Sequence, residues 1–503
     1  MALLDSILYG FQVATQPANL LFCFIGVLIG TLVGVLPGIG PVGAISLLLP
    51  STFFITPTGA IIMLGGIYYG AQYGGSTTSI LVNIPGESTS VVTCLDGYQM
   101  ALQGRAGPAL GMAAFSSFIG GTLSVIALTL IATPMAELAL RFGPPEYFSL
   151  MFLAVTVLIF MGRGALIKSL TMAAFGLFLG WVGMDTISGQ PRFTFGIMDL
   201  MDGIGLVPML MGVFGIAEVL SNVEKSVERS IFQERIKGLL PTRKDWQRSL
   251  GPILRASLLG FFFGILPGSG GIVSTFASYT LEKKISKYPE KFGTGVIEGV
   301  AGPEAANNAS TGGAYIPLLT LGIPSNVSMA VLLGALMIYG VQPGPLLLEK
   351  NPDLFWGVIT SLYIGNLMLL ILNLPLISLW VQILRVPYPF LYPMIILFCF
   401  IGAYSLNNSI FEVGLMAGFG VFGYLLKKLK YEPAPLVLGM VLGPMFENAL
   451  RQTLLLSRGD FSILFQRPIA AIFTAAALLL IFSPALAIFK IRLREKISPV
   501  NKD

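Results

Sequence analysis

Histidine is absent from this chain of 503 residues, and other residues that bind metals or perform catalysis are scarce. Without histidine the chain has no imidazole metal ligand, no histidine general base and no histidine proton relay. The three cysteines, Cys23, Cys94 and Cys399, lie in or beside apolar stretches without a CxxC spacing. They are therefore interpreted as small apolar residues of packed helices. No Gly-Lys pair occurs, which excludes a Walker A motif. We expect no cofactor and no enzymatic activity.

Charged residues are also scarce, at 11%, whereas soluble domains carry about 25%. Hydrophobic residues make up 54% of the chain. Several apolar runs approach or exceed the roughly 20 residues that a helix needs to cross a bilayer. These runs include 109–132, 203–220, 354–383 and 468–489. The composition therefore predicts an all-α polytopic membrane protein. No basic stripe with interleaved aromatic residues indicates nucleic-acid binding.

Basic residues are distributed unevenly, and short basic loops of membrane proteins stay in the cytoplasm. No Lys or Arg precedes Arg105, so we expect no signal peptide and an N-terminus outside. The segment 221–250 holds seven basic residues against four acidic ones. We place this segment, residues 281–293, the Lys427–Lys430 turn and the C-terminus inside. The same scheme leaves three arginines outside, which are Arg451, Arg458 and Arg467.

The chain contains an internal repeat. Residues 30–40 (GTLVGVLPGIG) match residues 260–270 (GFFFGILPGSG), and further matches follow in the same order. The turn 50–58 is uncharged, whereas its counterpart 281–293 carries four lysines. Opposite charge at equivalent turns predicts two inverted-topology repeats, a common plan of secondary transporters. The predicted divisions are a first repeat (1–220), a cytoplasmic linker (221–250), a second repeat (251–450), and a C-terminal helix with its cytoplasmic tail (451–503).

Proline and glycine interrupt an apolar run at equivalent positions of the two repeats. These residues disfavour helix, so the pattern predicts broken or kinked helices there. The residues are Pro37, Gly38 and Gly40 in the first repeat and Pro267, Gly268 and Gly270 in the second. Broken backbone within a membrane is tolerated where it lines a cavity or is covered by protein. The motif therefore indicates a transport site, and a structural kink against a neighbouring helix is the alternative.

A second, more polar pair of interruptions surrounds Pro85 and Pro324. Each is predicted to form a re-entrant helical hairpin whose tip lies near the proline, where a new helix begins. A helix N-terminus presents free N–H groups and partial positive charge, so two such ends can bind a carboxylate. The candidate substrate-binding residues at these tips are Ser88, Thr89, Ser90, Ser325, Asn326 and Ser328.

A polar stretch precedes the second tip, and its oxygens suit a hard cation such as Na⁺. The candidate cation-binding residues are Asn307, Asn308, Ser310 and Thr311. Hydrogen bonding between helices without a ligand explains the same residues equally well. Three acids lie in these segments, at Glu87, Glu298 and Glu304. Each is a candidate proton carrier, cation ligand or water-facing residue at a hairpin end.

Four stretches together resemble the large membrane subunit (TctA-type) of the tripartite tricarboxylate transporter family. They are 302–313 (GPEAANNASTGG), 37–40 (PGIG), 142–147 (FGPPEY) and 454–460 (LLLSRGD). The resemblance covers nearly the whole chain. It implies a bacterial inner-membrane symporter subunit that imports citrate-like di- or tricarboxylates with Na⁺ or H⁺. It also implies two partners, a small membrane subunit and a periplasmic substrate-binding protein. The alternatives are a passive channel for small anions and an intramembrane enzyme.

Overall fold

The computed structural model describes residues 3–36, 40–161, 166–224, 238–268, 270–384 and 388–497, and these are almost entirely helical. The first half contains α1 (Leu3–Ala14), α2 (Pro17–Val35), α3 (Gly40–Leu48), α4 (Pro57–Val82), α5 (Val91–Leu102), α6 (Ala106–Ala139), α7 (Pro144–Met161), α8 (Leu166–Gly180), α9 (Leu206–Leu210) and α10 (Ala217–Glu224). A π-helical segment, Met211–Ile216, joins α9 to α10. Short 3-10 helices cover Leu49–Phe54, Ser88–Ser90 and Met198–Leu200. Strands β1 (Gly183–Met184) and β2 (Pro191–Arg192) form a small antiparallel pair.

The second half is also helical in its described residues. It contains α11 (Arg243–Ile265), α12 (Gly270–Ile285), α13 (Glu298–Gly313), α14 (Tyr315–Leu321), α15 (Val327–Ile338), α16 (Leu347–Lys350), α17 (Pro352–Asn373), α18 (Ile377–Ile383), α19 (Tyr388–Asn407), α20 (Ile410–Lys428), α21 (Ala434–Leu456), α22 (Ile463–Gln466) and α23 (Pro468–Ile497), with a 3-10 turn at Pro289–Lys291.

Within the described ranges, five helices are long and apolar enough to cross a membrane. They are Pro17–Val35, Ala106–Ala139, Leu206–Glu224, Pro352–Asn373 and Ile410–Lys428. Shorter apolar helices accompany them. This architecture confirms the predicted all-α polytopic membrane protein. One predicted run, 354–383, is divided into α17 and α18, because Pro375 lies in the turn between them and cannot continue the helix.

Both predicted helix breaks are present, although Pro37 and Gly38 lie outside the described residues. In the first half α2 ends at Val35 and α3 begins at Gly40, whose φ is +66°. In the second half α11 ends at Ile265 and α12 begins at Gly270, whose φ is +54°. This left-handed conformation is accessible to glycine without the steric cost that a side chain would bring. The second break is held by a bond from the Gly268 N–H to the Ser325 carbonyl, at 2.8 Å.

Glycines also allow two helix pairs to touch through their backbones. A Cβ at Gly34 of α2 would lie 2.3 Å from the Ala71 carbonyl oxygen of α4. A Cβ at Gly264 of α11 would lie 2.2 Å from the Ser310 carbonyl oxygen of α13. Small residues permit this close approach, which membrane helices use in place of a hydrophobic driving force. The two pairs, α2 with α4 and α11 with α13, form the centre of each half.

The two segments α4–α5 and α13–α15 run in opposite directions. At the end of α5, Gln103 donates to the Thr294 carbonyl shortly before α13 begins, at 2.7 Å. At the end of α15, Tyr339 donates to the Thr52 carbonyl shortly before α4 begins, at 2.6 Å. The end of each segment therefore lies beside the start of the other. This is the relation that inverted repeats require, and the repeat itself stays a prediction.

The first predicted hairpin differs from expectation. The chain turns at Asn83 and returns along α4, so that Glu87 packs against Gly75. Helix α5 then runs in the same direction as α4, since its Gly97 lies beside Ile80, further along α4. The predicted re-entrant hairpin is thus corrected to a step within a segment that continues across. Hydrophobic pattern and proline mark an interruption, but they do not specify the direction in which the next helix leaves it.

The predicted linker, 221–250, overlaps the helices on both sides. Helix α10 continues to Glu224, and α11 begins at Arg243. The capping box of Thr242 and Asp245 starts α11 early, because each side chain accepts a bond from the other residue's backbone N–H. Residues 225–237, which hold the middle of the linker, and the tail 498–503 lie outside the described residues. The division of the chain into repeats stays a prediction.

Candidate functional site

Two interruptions of the chain each contact the opposite half of the molecule. We call residues 83–90 the first tip and residues 322–328 the second tip. A left-handed residue ends the preceding helix in both, at Asn83 with φ +57° and at Gly322 with φ +70°. Each tip then starts a new helix with a side-chain cap. The Glu87 carboxylate accepts from the Thr89 N–H at 2.8 Å, and the Asn326 side-chain oxygen accepts from the Met329 N–H at 3.0 Å.

Each tip is bonded to the central helix of the other half. The Asn326 amide donates to the Tyr68 hydroxyl of α4 at 3.1 Å. The Asn307 amide of α13 donates to the Glu87 carboxylate at 3.4 Å. Tyr68 and Asn307 differ by 239 in residue number, and so do Glu87 and Asn326. In the predicted repeat these two bonds would be corresponding contacts with the halves exchanged, and each joins one tip to the central helix of the opposite half.

The first tip carries a fixed carboxyl group among several other oxygens. Glu87 is buried, and the Thr89 hydroxyl contacts both its carboxylate and the side-chain oxygen of Gln72. The side-chain oxygen of Asn307 is buried and has no hydrogen-bond partner among the described residues. A Cβ on Gly271, in the first turn of α12, would lie 3.1 Å from that oxygen. The first tip, α13 and the start of α12 thus enclose an oxygen-rich site, which is the chemistry that hard cations prefer.

Two of the four predicted cation ligands, Asn307 and Ser310, lie together beside Gly271 at this site. Ser310 and Thr311 donate to the Asn307 carbonyl at 2.7 and 3.2 Å, which places them on the same side of α13. The Asn308 amide instead donates to the Glu304 carbonyl, and its side-chain oxygen is buried without a partner. Glu304, one turn earlier on this face, accepts bonds from Ser76 of α4, Thr93 of α5 and Ser117 of α6, whereas Asn307 bonds to Glu87 of the first tip, so Asn308 and Asn307 lie on different sides of α13.

The predicted substrate residues of the first tip divide by exposure. Ser88 is exposed, whereas Thr89 and Ser90 are buried. The Ser90 hydroxyl bonds back to Glu87, donating to its carbonyl at 2.9 Å and accepting from its N–H. Ser90 therefore stabilises the start of α5, and Ser88 and Thr89 remain the polar groups of this tip that face outward or toward α4.

The second tip has no charge and a free hydroxyl. Ser325 and Ser328 are buried, and the Ser325 hydroxyl has no partner in the described structure. Asn326 is neutral, so the helix N-terminus it caps keeps its partial positive charge uncompensated. At the equivalent place in the first tip, the chain supplies its own carboxylate, Glu87. An anion is therefore favoured at the second tip and a cation at the first.

Sequence reasoning did not include Tyr68 or Gln72 among the binding residues, and it named Glu87 as a candidate proton carrier, cation ligand or water-facing acid. Tyr68 and Gln72 lie four residues apart in α4, and so share one helix face. Gln72 could have been recognised from the sequence, because an amide within an apolar spanning run needs a hydrogen-bond partner. Tyr68 carried no signal, since tyrosine is common in packed helices.

Two of the arginines predicted to lie outside are neutralised by acids. Arg451 pairs with Asp185 at 2.9 Å, and Arg467 pairs with Glu146. The Ser188 and Ile187 backbone N–H groups, followed by the arginines, hold the pKa of Asp185 below its ordinary value. The charge rule counts Lys and Arg rather than net charge, so these pairs do not test the predicted orientation, which stays a prediction.

The described helices, broken at two places around a buried polar centre, define a multi-pass membrane protein of the transport class. The chain belongs to the tripartite tricarboxylate transporter TctA family, whose model matches residues 20–438. It is therefore a subunit of a tripartite tricarboxylate transporter, and partner subunits are implied by that assembly.

Two relatives come from Agrobacterium vitis. One is described as an uncharacterized 52.8 kDa protein in the TAR-I ttuC' 3' region, and it is 49% identical over 478 residues, or 95% of each chain. The other is described as an uncharacterized protein in the TAR-II ttuC' 3' region. It is 52% identical over 212 residues, which are 42% of this chain and 88% of the relative. No solved structure matches the chain.

Proposed function

We propose that this chain is the membrane-embedded transport subunit of a Na⁺-coupled symporter. It imports citrate-like di- or tricarboxylates that a periplasmic binding protein delivers, together with a small membrane subunit. The observation that carries the proposal is the pair of exchanged bonds between the tips and the opposite central helices. Such paired contacts around helix ends provide a binding site that two halves can open alternately.

The proposed substrate site lies between the tips. The substrate carboxylate contacts Ser325, Asn326 and Ser328 at the second tip, where the helix N-terminus is uncharged. Ser88 and Thr89 form the opposite wall, and Ser90 supports them by holding the start of α5. This arrangement places a negatively charged substrate next to neutral hydrogen-bonding groups, so that the substrate can also be released.

The proposed cation site is formed by Asn307, Ser310 and Thr311 of α13 together with Glu87. The free side-chain oxygen of Asn307 and the Glu87 carboxylate supply ligands for Na⁺. A bound cation neutralises Glu87, and so lowers the repulsion between that carboxylate and the incoming substrate. Cation and substrate should therefore bind with positive coupling, typically about 1–3 kcal/mol.

Uptake by the complete complex in proteoliposomes tests this function. We expect an imposed Na⁺ gradient to drive accumulation of a di- or tricarboxylate above its external concentration, which a passive channel cannot do. Asn307→Ala removes a ligand oxygen and should raise the Na⁺ concentration for half-maximal uptake more than it weakens substrate binding at saturating Na⁺. Asn308→Ala is the matched control, because the neighbouring amide lies on a different side of α13.

Uptake that ignores Na⁺ and follows a proton gradient would remove Na⁺ from the proposal. Equal effects of Asn307→Ala and Asn308→Ala would show that the face of α13 toward the first tip is not the cation site. An intramembrane enzyme, the remaining alternative, is not supported by the contacts of this centre.

The proposed orientation in a bacterial inner membrane has the N-terminus outside and the linker and C-terminus inside. Ion pairs Arg105–Asp245 and Lys427–Glu218 gather basic turns near the two ends of the linker. Because basic loops are retained in the cytoplasm, this side is proposed to face inward.

Single cysteines on a cysteine-free background test the orientation. An impermeant thiol reagent applied from outside should label Ser51→Cys and leave Lys244→Cys unlabelled, since both positions are exposed on opposite sides. The reverse pattern would invert the proposed topology.

A further inference from the structure

Glu304 of α13 is a completely buried acid that the proposed symport does not use. Its carboxylate accepts three hydroxyl bonds, each from a different helix. Ser76 of α4 donates at 2.6 Å, Thr93 of α5 at 2.5 Å and Ser117 of α6 at 3.2 Å. Donors from three different helices converge on this one side chain, which indicates a specific binding site rather than incidental packing.

No Lys or Arg forms an ion pair with Glu304 in the described parts of the chain. Titratable groups on the surrounding elements are Tyr73 of α4, Cys94 and Asp96 of α5, Glu87 of the first tip, and Glu282 of α12, which is paired with Arg255 of α11. On α6, the Ser117 hydroxyl faces the Glu304 carboxylate. An ionised carboxylate without a counter-charge is expensive in a membrane interior.

The hydroxyl groups suit both states of this acid. A hydroxyl is one donor and two acceptor sites, and it rotates to suit its partner. Ser76, Thr93 and Ser117 can therefore donate to an ionised Glu304, and one of them can accept from a protonated one. A side chain surrounded in this way changes protonation without rearrangement of the helices.

A small cavity lies beside Glu304 and has room for about one water molecule. Ser76 and Ser117, two of the donors, line it together with Tyr73 and Asn373. The side-chain oxygen of Asn373 is buried and without a partner. A water in this cavity would find polar partners on several sides, among them the Ser76 and Ser117 hydroxyls that bond to Glu304.

Glu304 is separate from the cation site at the first tip. Its carboxylate bonds to Ser76, Thr93 and Ser117, whereas the Asn307 amide bonds to Glu87. The equivalent position in the first half is Gly65, 239 residues earlier, which has no side chain to titrate. The acid is therefore a single, asymmetric feature of the second half.

We infer that Glu304 is a proton-binding site, distinct from the cation site, that gains and loses one proton during each transport cycle. The inference rests on the proposed transport function for its role in the cycle. The binding of the proton itself does not depend on which substrate is carried, so the two can be tested separately.

Infrared spectra of the purified complex, recorded across pH, test the site directly. A protonated carboxylic acid has a carbonyl stretch apart from the amide bands. We expect a pH-dependent band of this kind in the wild type and its loss in Glu304→Gln. Glu298→Gln is the control on the same helix, because Glu298 pairs with Arg248 near the surface. A carboxylic-acid band whose intensity and pH dependence in Glu304→Gln equal those of the wild type overturns the inference, whether or not the complex transports carboxylates.

Uptake measured at saturating Na⁺ tests the role in the cycle. We expect the wild-type rate to follow one titration and the Glu304→Gln rate to lose that pH dependence, with Glu298→Gln behaving as the wild type. If Glu304→Gln does not insert, Ser117→Ala provides the second measurement. Loss of one donor to the carboxylate should move the titration midpoint upward by about one pH unit. An unchanged midpoint in Ser117→Ala, or a wild-type pH profile in inserted Glu304→Gln, would contradict the proposal.

Discussion

Asn326→Asp is expected to reduce carboxylate uptake about a thousandfold while the protein still inserts in the membrane. Aspartate is a good helix N-cap, so α15 keeps its start. The new charge stands where the substrate carboxylate is proposed to bind. At about 4 Å, two like charges repel by roughly 4 kcal/mol at an effective dielectric of 20, and each 1.4 kcal/mol is about tenfold. Uptake of labelled carboxylate by reconstituted complexes measures the effect.

Ser88→Asp is expected to act in the same direction at the first tip. Ser88 is exposed there and lies next to Glu87, so a second carboxylate would also repel substrate. Ser409→Asp is the matched control for Asn326→Asp. The Ser409 side chain caps α20 as the Asn326 side chain caps α15, and Ser409 lies in neither tip. Normal uptake by both tip variants would exclude the tips from the substrate site. A loss of uptake in Ser409→Asp would show that the effect is not local.

Gly264→Ala is expected to destabilise the protein strongly, although it adds only one methyl group. The added Cβ would lie 2.2 Å from the Ser310 carbonyl oxygen, so α11 and α13 would have to separate. Overpacking of a tight contact costs about 1–3 kcal/mol, and backbone on the receiving side cannot rotate away. We expect a lower unfolding temperature in detergent and a reduced yield of monodisperse protein.

Gly414→Ala is the control for this change. A Cβ at Gly414, within α20, meets open space, and alanine is the better helix former by roughly 1 kcal/mol. This variant should be as stable as the wild type or slightly more stable. Gly34→Ala, with a Cβ 2.3 Å from the Ala71 carbonyl oxygen, should reproduce the loss in the first half. Wild-type unfolding temperatures for both Gly264→Ala and Gly34→Ala would contradict the close backbone contact.

The polar stretch around Asn307 and Asn308 shows how far sequence reasoning reaches. The residue types predicted a polar segment in the membrane, and the segment is buried in α13. That the two adjacent amides face different neighbours follows from helix geometry, which turns successive residues by about 100°. Which amide faces the first tip depends on how α13 is rotated against α6, α11 and α12. That rotation is set by packing, and so it could not be predicted from the stretch alone.

The direction of the first tip is a second example. Pro85 and Gly86 predicted an interruption, because both disfavour helix. Whether the next helix returns or continues is not a property of these residues. Gly86 lies against the Gly34 carbonyl of α2, and this tertiary contact brings the chain back along α4 before α5 begins.

Sequence by itself determined the membrane class, the family resemblance and the positions of the helix breaks, because apolar length, proline and glycine act within a few residues of the chain. Only the tertiary structure decided that Tyr68 meets Asn326, that Asn307 meets Glu87, and that three hydroxyls meet at Glu304. The partners in these contacts are far apart in the chain, and they come together through the angles and rotations at which helices pack. Close backbone contact at small residues sets those angles. The contacts of the site therefore depend on how the two halves pack against each other, and the sequence alone does not specify them.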